Sequence, residues 1–160
     1  MDAITMPSIV SFLVKLKLAH PEYTFISGDH FRWSPDSREI IYDPAAQSSE
    51  AHILHELAHA LLGHSDYDRD IQLIAIERDA WQHAKKALSP NYNIVITDAV
   101  IEDSLDTYRD WLHARSTCPN CKATGLQDKK YHYRCVACRH KWRVNDARIC
   151  GLRRHSLSTK

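Results

Sequence analysis

Hydrophobic and polar positions change their period along the chain, and each change marks a new element. The first pattern is helical and spans residues 8–19, because its apolar residues recur three and four positions apart. Those residues are Ile9, Phe12, Leu13 and Leu16. Residues 24–43 then carry short runs of β-type residues, TFIS, HFRWS and REIIYD, separated by the turn-forming GD and SPDS. This segment predicts three short strands in an antiparallel meander.

Three further helical patterns follow the predicted strands. They run from Ser48 or Ser49 to Gly63, from 68 to 88 and from 97 to 115. Ser48 and Thr97 are the expected N-caps, because a short polar side chain accepts a hydrogen bond from the first turn of a helix. Pro90 is expected to end the middle helix, because proline lacks the N–H that a helix interior needs. The intervening NYNIVI is a loop or a short strand.

Composition limits the classes of protein to consider. The chain has 160 residues, 44% of them hydrophobic and 26% charged, which is typical of a globular protein with a modest core and room for a small second module. No apolar run approaches the roughly 18 residues of a membrane span. The N-terminal apolar stretch runs into Lys15 and Lys17 and lacks the basic start and cleavage site of a signal peptide, which predicts a cytoplasmic location.

Four cysteines near the C-terminus form two C-x-x-C pairs separated by thirteen residues. They are Cys118, Cys121, Cys135 and Cys138. Thiolates in two such pairs form a closed tetrahedral site, so the pattern predicts a structural zinc ion in a small β zinc ribbon over residues 115–146. The alternative is a pair of redox-active dithiols, but the surrounding βαβ pattern is missing. Cys150 has no predicted role, and residues 147–160 form a basic C-terminal tail that is expected to be loose at its end.

A second metal-binding pattern lies in the helix predicted to end at Gly63. His55 and His59 are four residues apart, so both project from one helix face and can hold the same zinc ion. Glu56 is next to the first histidine and can reach a metal-bound water without binding the metal, as in the motif H-E-x-x-H. The alternative is a core helix whose polar residues lie at its exposed edge.

The following helix carries a single charge in an otherwise apolar stripe. The stripe comprises Ile74, Glu77, Trp81, Ala84 and Leu88, which are spaced as one helix face. A buried carboxylate is costly unless it is paired, so Glu77 is a candidate third ligand for the ion held by His55 and His59. A salt bridge from Glu77 to a nearby Arg or His is the alternative.

The segments His55-Glu56-Leu57-Ala58-His59 and Glu77-Arg78-Asp79-Ala80 together resemble a known pattern, H-E-x-x-H followed by E-x-x-A, of the ImmA/IrrE-type gluzincin metallopeptidases. The resemblance covers roughly residues 8–90. It implies a zincin-like domain over residues 1–114, in which Glu77 is the third ligand of a catalytic zinc ion. It also implies that the strand REIIYD is the edge strand that lines the cleft and pairs with an extended substrate.

The chain departs from that pattern directly after the alanine. Relatives often carry Asn or Asp where this chain has Trp81, so Asp79 or Asp70 is the expected partner of the metal-binding histidines. His64 does not fit the metzincin spacing H-E-x-x-H-x-x-G-x-x-H and is interpreted as a helix-end or loop residue. A donor for the oxyanion is expected among Tyr42, His83, Tyr108 and His113.

Charge is divided unevenly along the chain. Residues 1–114 carry 9 Lys and Arg against 18 Asp and Glu, whereas residues 115–160 carry 12 against 2. Cations interleaved with aromatic rings suit a phosphate backbone and unstacked bases. The candidate nucleic-acid-binding residues are Lys129, Lys130, Arg134, Arg139, Lys141, Trp142 and Arg143. Alternatively, the rings fill a small ribbon core and the charges dock on the acidic part of the chain.

Together these patterns predict an α+β protein, with helices and a small antiparallel three-stranded sheet followed by the zinc ribbon. The predicted function is a zinc-dependent endopeptidase with two zinc ions, in which Glu56 activates the bound water. The ribbon would recruit nucleic acid or the protein substrate, and the architecture is also similar to that of SprT-like proteins. The alternatives are a non-catalytic nucleic-acid-binding or regulatory protein on the same scaffold, and zinc-dependent hydrolysis of another type of bond.

Overall fold

The computed structural model describes residues 8–146 and 151–158 of the chain. These residues form an α+β fold with helices, a three-stranded sheet and a separate four-stranded sheet. The helices are α1 (Ile9–Ala19), α2 (Ser49–Leu61), α3 (Asp70–His83), α4 (Ser89–Tyr92) and α5 (Asp98–Ser116). The strands are β1 (Thr24–Ser27), β2 (Arg32–Ser34), β3 (Glu39–Tyr42), β4 (Gly125–Lys129), β5 (His132–Cys135), β6 (Lys141–Val144) and β7 (Arg154–Ser156).

The chain divides into two compact units. One comprises Met1–Ser65 and Arg78–Ile101, and the other comprises Asp66–Glu77 and Glu102–Lys160. The divisions fall inside α3 and α5, so each of these helices contributes residues to both units. Among the described residues, no helix combines the length and the apolar composition that crossing a membrane requires.

The core of the first unit is built around α2. This helix packs against β2, β3 and the π-helical turn Ala84–Leu88, and its Ile53 and Leu57 are completely buried. The buried side of α1 is the one that its helical pattern predicts, and Phe12 meets Tyr92 edge to face with ring centroids 5.7 Å apart. Apolar neighbours therefore surround α2 and fix the orientation of the polar side chains that it carries.

The three-stranded sheet is mixed, and the predicted antiparallel meander is wrong. β3 lies in the centre, parallel to β1 and antiparallel to β2. Turn signals predict where the chain reverses but not which strands pair. In the central position, the apolar run of β3 has hydrogen-bonded neighbours on both sides. Its Ile40 and Tyr42 are buried accordingly. The segment REIIYD is thus not the edge strand, and the edges of this sheet are β1 and β2.

The two predicted N-caps behave differently. Thr97 caps α5, since its hydroxyl oxygen accepts a hydrogen bond from the Val100 N–H at 3.3 Å. Ser48 precedes α2, but its backbone is left-handed, with φ of 55°, and its side chain makes no capping hydrogen bond. Instead, the Ser49 hydroxyl donates to the carbonyl oxygen of Asp43 at 2.7 Å. This contact ties the start of α2 to the residue that follows β3, but it is not an N-cap because the hydroxyl donates and accepts nothing from the first turn.

The helical path continues past Pro90, where it was expected to stop. α3 runs to His83 and passes through the π-helical turn Ala84–Leu88 into α4, whose first turn contains Pro90. Proline is tolerated there because the first turn of a helix leaves its N–H groups without intrahelical partners. The Ser89 hydroxyl donates to the Lys85 carbonyl oxygen at 2.8 Å and links the π-helical turn to α4. The segment NYNIVI begins in α4 and continues as a loop.

The four-stranded sheet is antiparallel throughout, in the order β4-β5-β6-β7. One small cluster fills its buried face: Cys118, Tyr133, Cys135, Trp142 and Val144. Gly125 is required by this packing, since a Cβ atom there would lie 2.3 Å from the Trp142 ring. The basic tail contributes a strand that was not predicted, because Arg154–Ser156 pairs with β6. Residues 147–150, and with them Cys150, lie outside the described residues.

A buried polar network within the second unit ties the ribbon to the ends of two helices. Arg115 and Asp70 form an ion pair at 2.8 Å, with side chains that are 1% and 2% exposed, and the Tyr133 hydroxyl also donates to Asp70. Burial, together with the Asp70 contact, raises the pKa of Tyr133, so the phenol keeps the proton that it donates. The Gln127 side-chain oxygen accepts from the Asp70 N–H at 2.6 Å, so a ribbon residue caps α3.

Candidate metal centres

Two histidines of α2 meet across one turn of the helix. His55 and His59 are 4% and 7% exposed, and their Nε2 atoms are 3.0 Å apart. Two imidazole nitrogens bound at about 2.0–2.1 Å to one tetrahedral zinc ion would lie about 3.3 Å apart. The two rings are therefore already close to the spacing of two ligands on one ion, and they project from one helix face as their sequence spacing predicts.

Glu77 completes this group. One of its carboxylate oxygens and one ring nitrogen of each histidine all lie within 4.8 Å of one another, and Glu77 is 3% exposed. The division between the compact units falls between Glu77 and Arg78, inside the continuous helix α3. Glu77 thus lies directly before the part of α3 that packs in the first unit. Two imidazoles and a carboxylate fit a catalytic zinc ion, which commonly has three protein ligands and one open position.

Trp81, one turn after Glu77, holds the ring of His55. The two rings are stacked, with centroids 4.2 Å apart and an interplanar angle of 21°, and Trp81 is completely buried. Trp81 also meets His52 edge to face, with centroids 5.3 Å apart. Trp81 therefore orients the ring of a candidate metal ligand by packing. Its position in the stripe with Glu77 was the signal that could have identified it.

His64, which its spacing excluded as a metal ligand, contacts one of the two candidate histidine ligands. Its Nδ1 lies 3.0 Å from Nδ1 of His59. Because Nε2 of His59 faces His55, a metal ion bound there leaves Nδ1 of His59 to donate its hydrogen to His64. The helix end brings the two rings together, since Gly63 is left-handed with φ of 68° and the His64 N–H donates to the His59 carbonyl oxygen at 3.0 Å. His64 is a helix-end residue as predicted, but it also supports the site.

We expect His64→Ala to weaken zinc binding at the histidine site by about 10- to 100-fold, because the partner of a metal-binding imidazole sets its tautomer and orientation. His64→Asn should recover part of the affinity, since its side-chain oxygen can accept the same hydrogen bond. Competition with a zinc chelator measures the effect. His30→Ala removes an exposed histidine beside Asp29 and is the control. Equal zinc affinity in His64→Ala and the wild type would contradict the supporting role.

Glu56 follows His55 directly in the chain but does not belong to the three-residue group. It is half-buried, whereas His55, His59 and Glu77 are buried. A general base needs access to solvent, because the water that it deprotonates must reach the carboxylate. Its placement therefore agrees with a residue that acts on a bound water and does not hold the metal.

The aspartates considered as partners of the histidines are engaged elsewhere. Asp70 is bound by Arg115 and Tyr133, and the exposed Asp79 carboxylate lies 3.6 Å from the Arg78 guanidinium. The side-chain contact to His59 comes instead from His64, just after the end of α2. The candidate oxyanion donors are spread over three elements: Tyr42 on β3, His83 at the end of α3, and Tyr108 and His113 on α5.

The four cysteines of the ribbon form a second group. The Sγ atoms of Cys118 and Cys138 are 3.7 Å apart, those of Cys121 and Cys135 are 3.5 Å apart, and all four lie within 4.8 Å of one another. Four sulfurs at about 2.3 Å from a tetrahedral zinc ion are separated by about 3.8 Å. A disulfide would bring two of them to about 2.05 Å. The group thus has the spacing of a metal–thiolate site.

The backbone around each C-x-x-C pair favours this arrangement. Lys122 and Arg139, which directly follow the two pairs, both adopt left-handed backbone conformations, with φ of 66° and 62°. The Asn120 side chain, 3.5 Å from Sγ of Cys138, and the His140 backbone lower the pKa of Cys138 to about 6. Because the thiolate is the form that binds metal, the lowered pKa favours metal binding at Cys138.

The candidate nucleic-acid-binding residues divide into three groups. Trp142 is completely buried, so it is a core residue and the prediction that it contacts nucleic acid does not hold. Lys130 and Arg134 form ion pairs with Asp66 and Asp128 at 2.6 Å and 2.7 Å. The remaining candidates are exposed: Lys129, Arg139, Lys141 and Arg143.

Comparison with protein-family models, curated proteins and solved structures finds no match for the chain. The geometry supplies two groups of metal-ligating side chains, one of two histidines and a carboxylate and one of four thiols.

Proposed function

We propose that the protein is a zinc-dependent endopeptidase whose active site is formed by α2 and α3. The main support for the proposal is the buried group of His55, His59 and Glu77, together with the half-buried Glu56, which follows His55 in the chain. This donor set leaves a position for water, whereas the four thiols of the ribbon would close theirs. The resemblance to the ImmA/IrrE-type peptidases supports a peptide bond as the substrate.

The residues of the site have separate roles in this reaction. The three ligands would hold the ion, Trp81 stacks on the His55 ring, and His64 would accept the hydrogen bond of His59. A bound zinc ion would supply a water of lowered pKa and would polarise the scissile carbonyl. Glu56 would take a proton from the attacking water as the C–O bond forms, and would pass it to the leaving amine as the C–N bond breaks.

The proposal is tested by incubating the zinc-loaded full-length chain with a mixture of unfolded proteins. New peptide termini, identified by mass spectrometry, should map to a restricted set of internal positions. They should disappear on zinc chelation and return when zinc is added, because the ion activates the water. Cleavage that continues at full rate without zinc would contradict the proposal, and zinc-loaded protein that yields no new termini would favour the non-catalytic alternative.

A further inference from the structure

Strand alternation separates the cations of the ribbon from its rings. Successive side chains of a strand point to opposite faces of the sheet. In β6, Trp142 is buried while Lys141 and Arg143 on either side are exposed, and in β5 Tyr133 is buried while Arg134 is exposed. The rings and cations that alternate in the sequence therefore lie on opposite faces. The outer face of the sheet carries the charged side chains, and the two rings lie on the buried face.

The strand register places basic side chains of neighbouring strands beside one another. One row across the sheet contains Lys129, His132, Arg143 and His155, and the next contains Arg134 and Lys141. Neighbouring strands are about 4.8 Å apart, and residues two apart along a strand are separated by about 6.6 Å. The basic side chains thus form a compact array on one face of the sheet.

The cations of the ribbon differ in their ion pairs. Arg134 is paired with Asp128, and Lys130 in the turn between β4 and β5 is paired with Asp66. Three other cations of the ribbon form no ion pair within the part of the chain that the structure describes: Lys129, Lys141 and Arg143. These three exposed cations are defined as the basic face, and their charges are available to a partner.

We infer that the basic face binds the phosphate backbone of a nucleic-acid duplex. Phosphates are regularly spaced anions, and their neutralisation by Lys and Arg supplies sequence-independent affinity. Single strands bind by stacking their bases on accessible aromatic rings. Tyr133 and Trp142 are buried, so we expect the basic face to contact the backbone and not unstacked bases. This binding does not depend on peptidase activity.

The test is fluorescence anisotropy of a labelled DNA duplex titrated with the zinc-loaded full-length protein. With three phosphates neutralised, the log–log salt slope is about −2.7, so the Kd should rise about 40-fold between 50 mM and 200 mM salt. Arg143→Gln should reduce the slope to about −1.8 and the rise to about 12-fold. Lys130→Gln removes the same charge from a lysine already paired with Asp66, so its slope should stay near the wild-type value.

Several outcomes would overturn the inference. They are absence of duplex binding at 50 mM salt, equal losses in Arg143→Gln and Lys130→Gln, and tighter binding to a single strand than to the duplex. Tighter binding to polyglutamate would assign the basic face to an acidic protein partner. Zinc content and thermal midpoint, measured for every variant, verify the fold. A Glu56→Gln chain should bind the duplex as the wild type does, which separates this inference from the proposed peptidase function.

Discussion

Glu56→Gln is expected to reduce the kcat of peptide hydrolysis by about 10²- to 10⁴-fold while both zinc ions are retained. Glutamine preserves the size of the side chain but cannot take a proton from water. Glu56 is not a member of the group formed by His55, His59 and Glu77, so the change removes no ligand. The rate is measured as new amino termini released from a substrate found in the unfolded-protein mixture, and zinc content is measured on the same samples.

The matched control is Glu50→Gln, which makes the same chemical change in the first turn of α2. Loss of this charge weakens its favourable interaction with the helix dipole by about 0.3–1 kcal/mol, but kcat should be unchanged. A Glu56→Gln variant that keeps kcat within a few-fold of the wild type would refute the role of Glu56 as general base. A variant that also loses the zinc ion of the histidine site would instead indicate that Glu56 is a ligand.

Cys118→Ser is expected to remove the other zinc ion and to unfold the ribbon. Cys118 belongs to a small buried cluster, with Tyr133, Cys135, Trp142 and Val144 as its other members. A core of this size supplies little stability on its own, whereas structural zinc contributes about 10–16 kcal/mol of apparent binding free energy in zinc-finger peptides. Zinc analysis should find one ion less per chain, and Trp142 should become exposed to fluorescence quenchers.

The effect of Cys118→Ser should spread through the second unit. Without the ribbon, Asp70 loses the Gln127 cap and the Tyr133 hydroxyl, and its ion pair with Arg115 loses the surrounding packing. A buried ion pair stripped of its other partners is destabilising. Amide hydrogen exchange should therefore accelerate at the start of α3 and the end of α5 as well as in the ribbon strands.

Cys150→Ser provides the control for this experiment, because Cys150 falls outside the two C-x-x-C pairs. That variant should keep both zinc ions and the exchange pattern of the wild type. If the exchange of Cys118→Ser increased only in the ribbon strands, the buried network would not couple the ribbon to the helices.

Local signals were sufficient for the longer helices and for the members of both candidate metal groups. The pitch of a single helix places His55 beside His59, and the spacing of the two C-x-x-C pairs identifies four cysteines whose sulfurs lie within 4.8 Å of one another. Glu77 stood out because one charge interrupts an apolar helix face. Each of these features is encoded within a few turns of chain, so the sequence predicts it directly.

Features that depend on distant parts of the chain were missed. The central position of β3 depends on which strands pair, and the turn residues do not determine that pairing. The start of α2 is held by the Ser49 hydroxyl, which donates to the Asp43 carbonyl oxygen, and Pro90 is accommodated because a π-helical turn places it in a new first turn. Local preference gives way in each case to a tertiary hydrogen bond or to a change in helix geometry.

The positions of His64 and Trp142 were misjudged for a related reason. His64 was set aside because its spacing does not fit that of a metal ligand. Its contact is with Nδ1 of His59, the ring nitrogen that does not face His55, and a metal-ligand motif does not describe such a contact. Trp142 was counted among the nucleic-acid candidates because rings and cations alternate in the sequence. The same alternation in a strand places the ring inside and the cations outside.

The central claim is that His55, His59 and Glu77 hold a zinc ion separate from that of the ribbon. The most direct test is the zinc content per chain of the purified wild type and of His55→Ala, measured by inductively coupled plasma mass spectrometry. We expect two zinc ions in the wild type and one in His55→Ala. A wild type with one zinc ion, unchanged in His55→Ala, would contradict it.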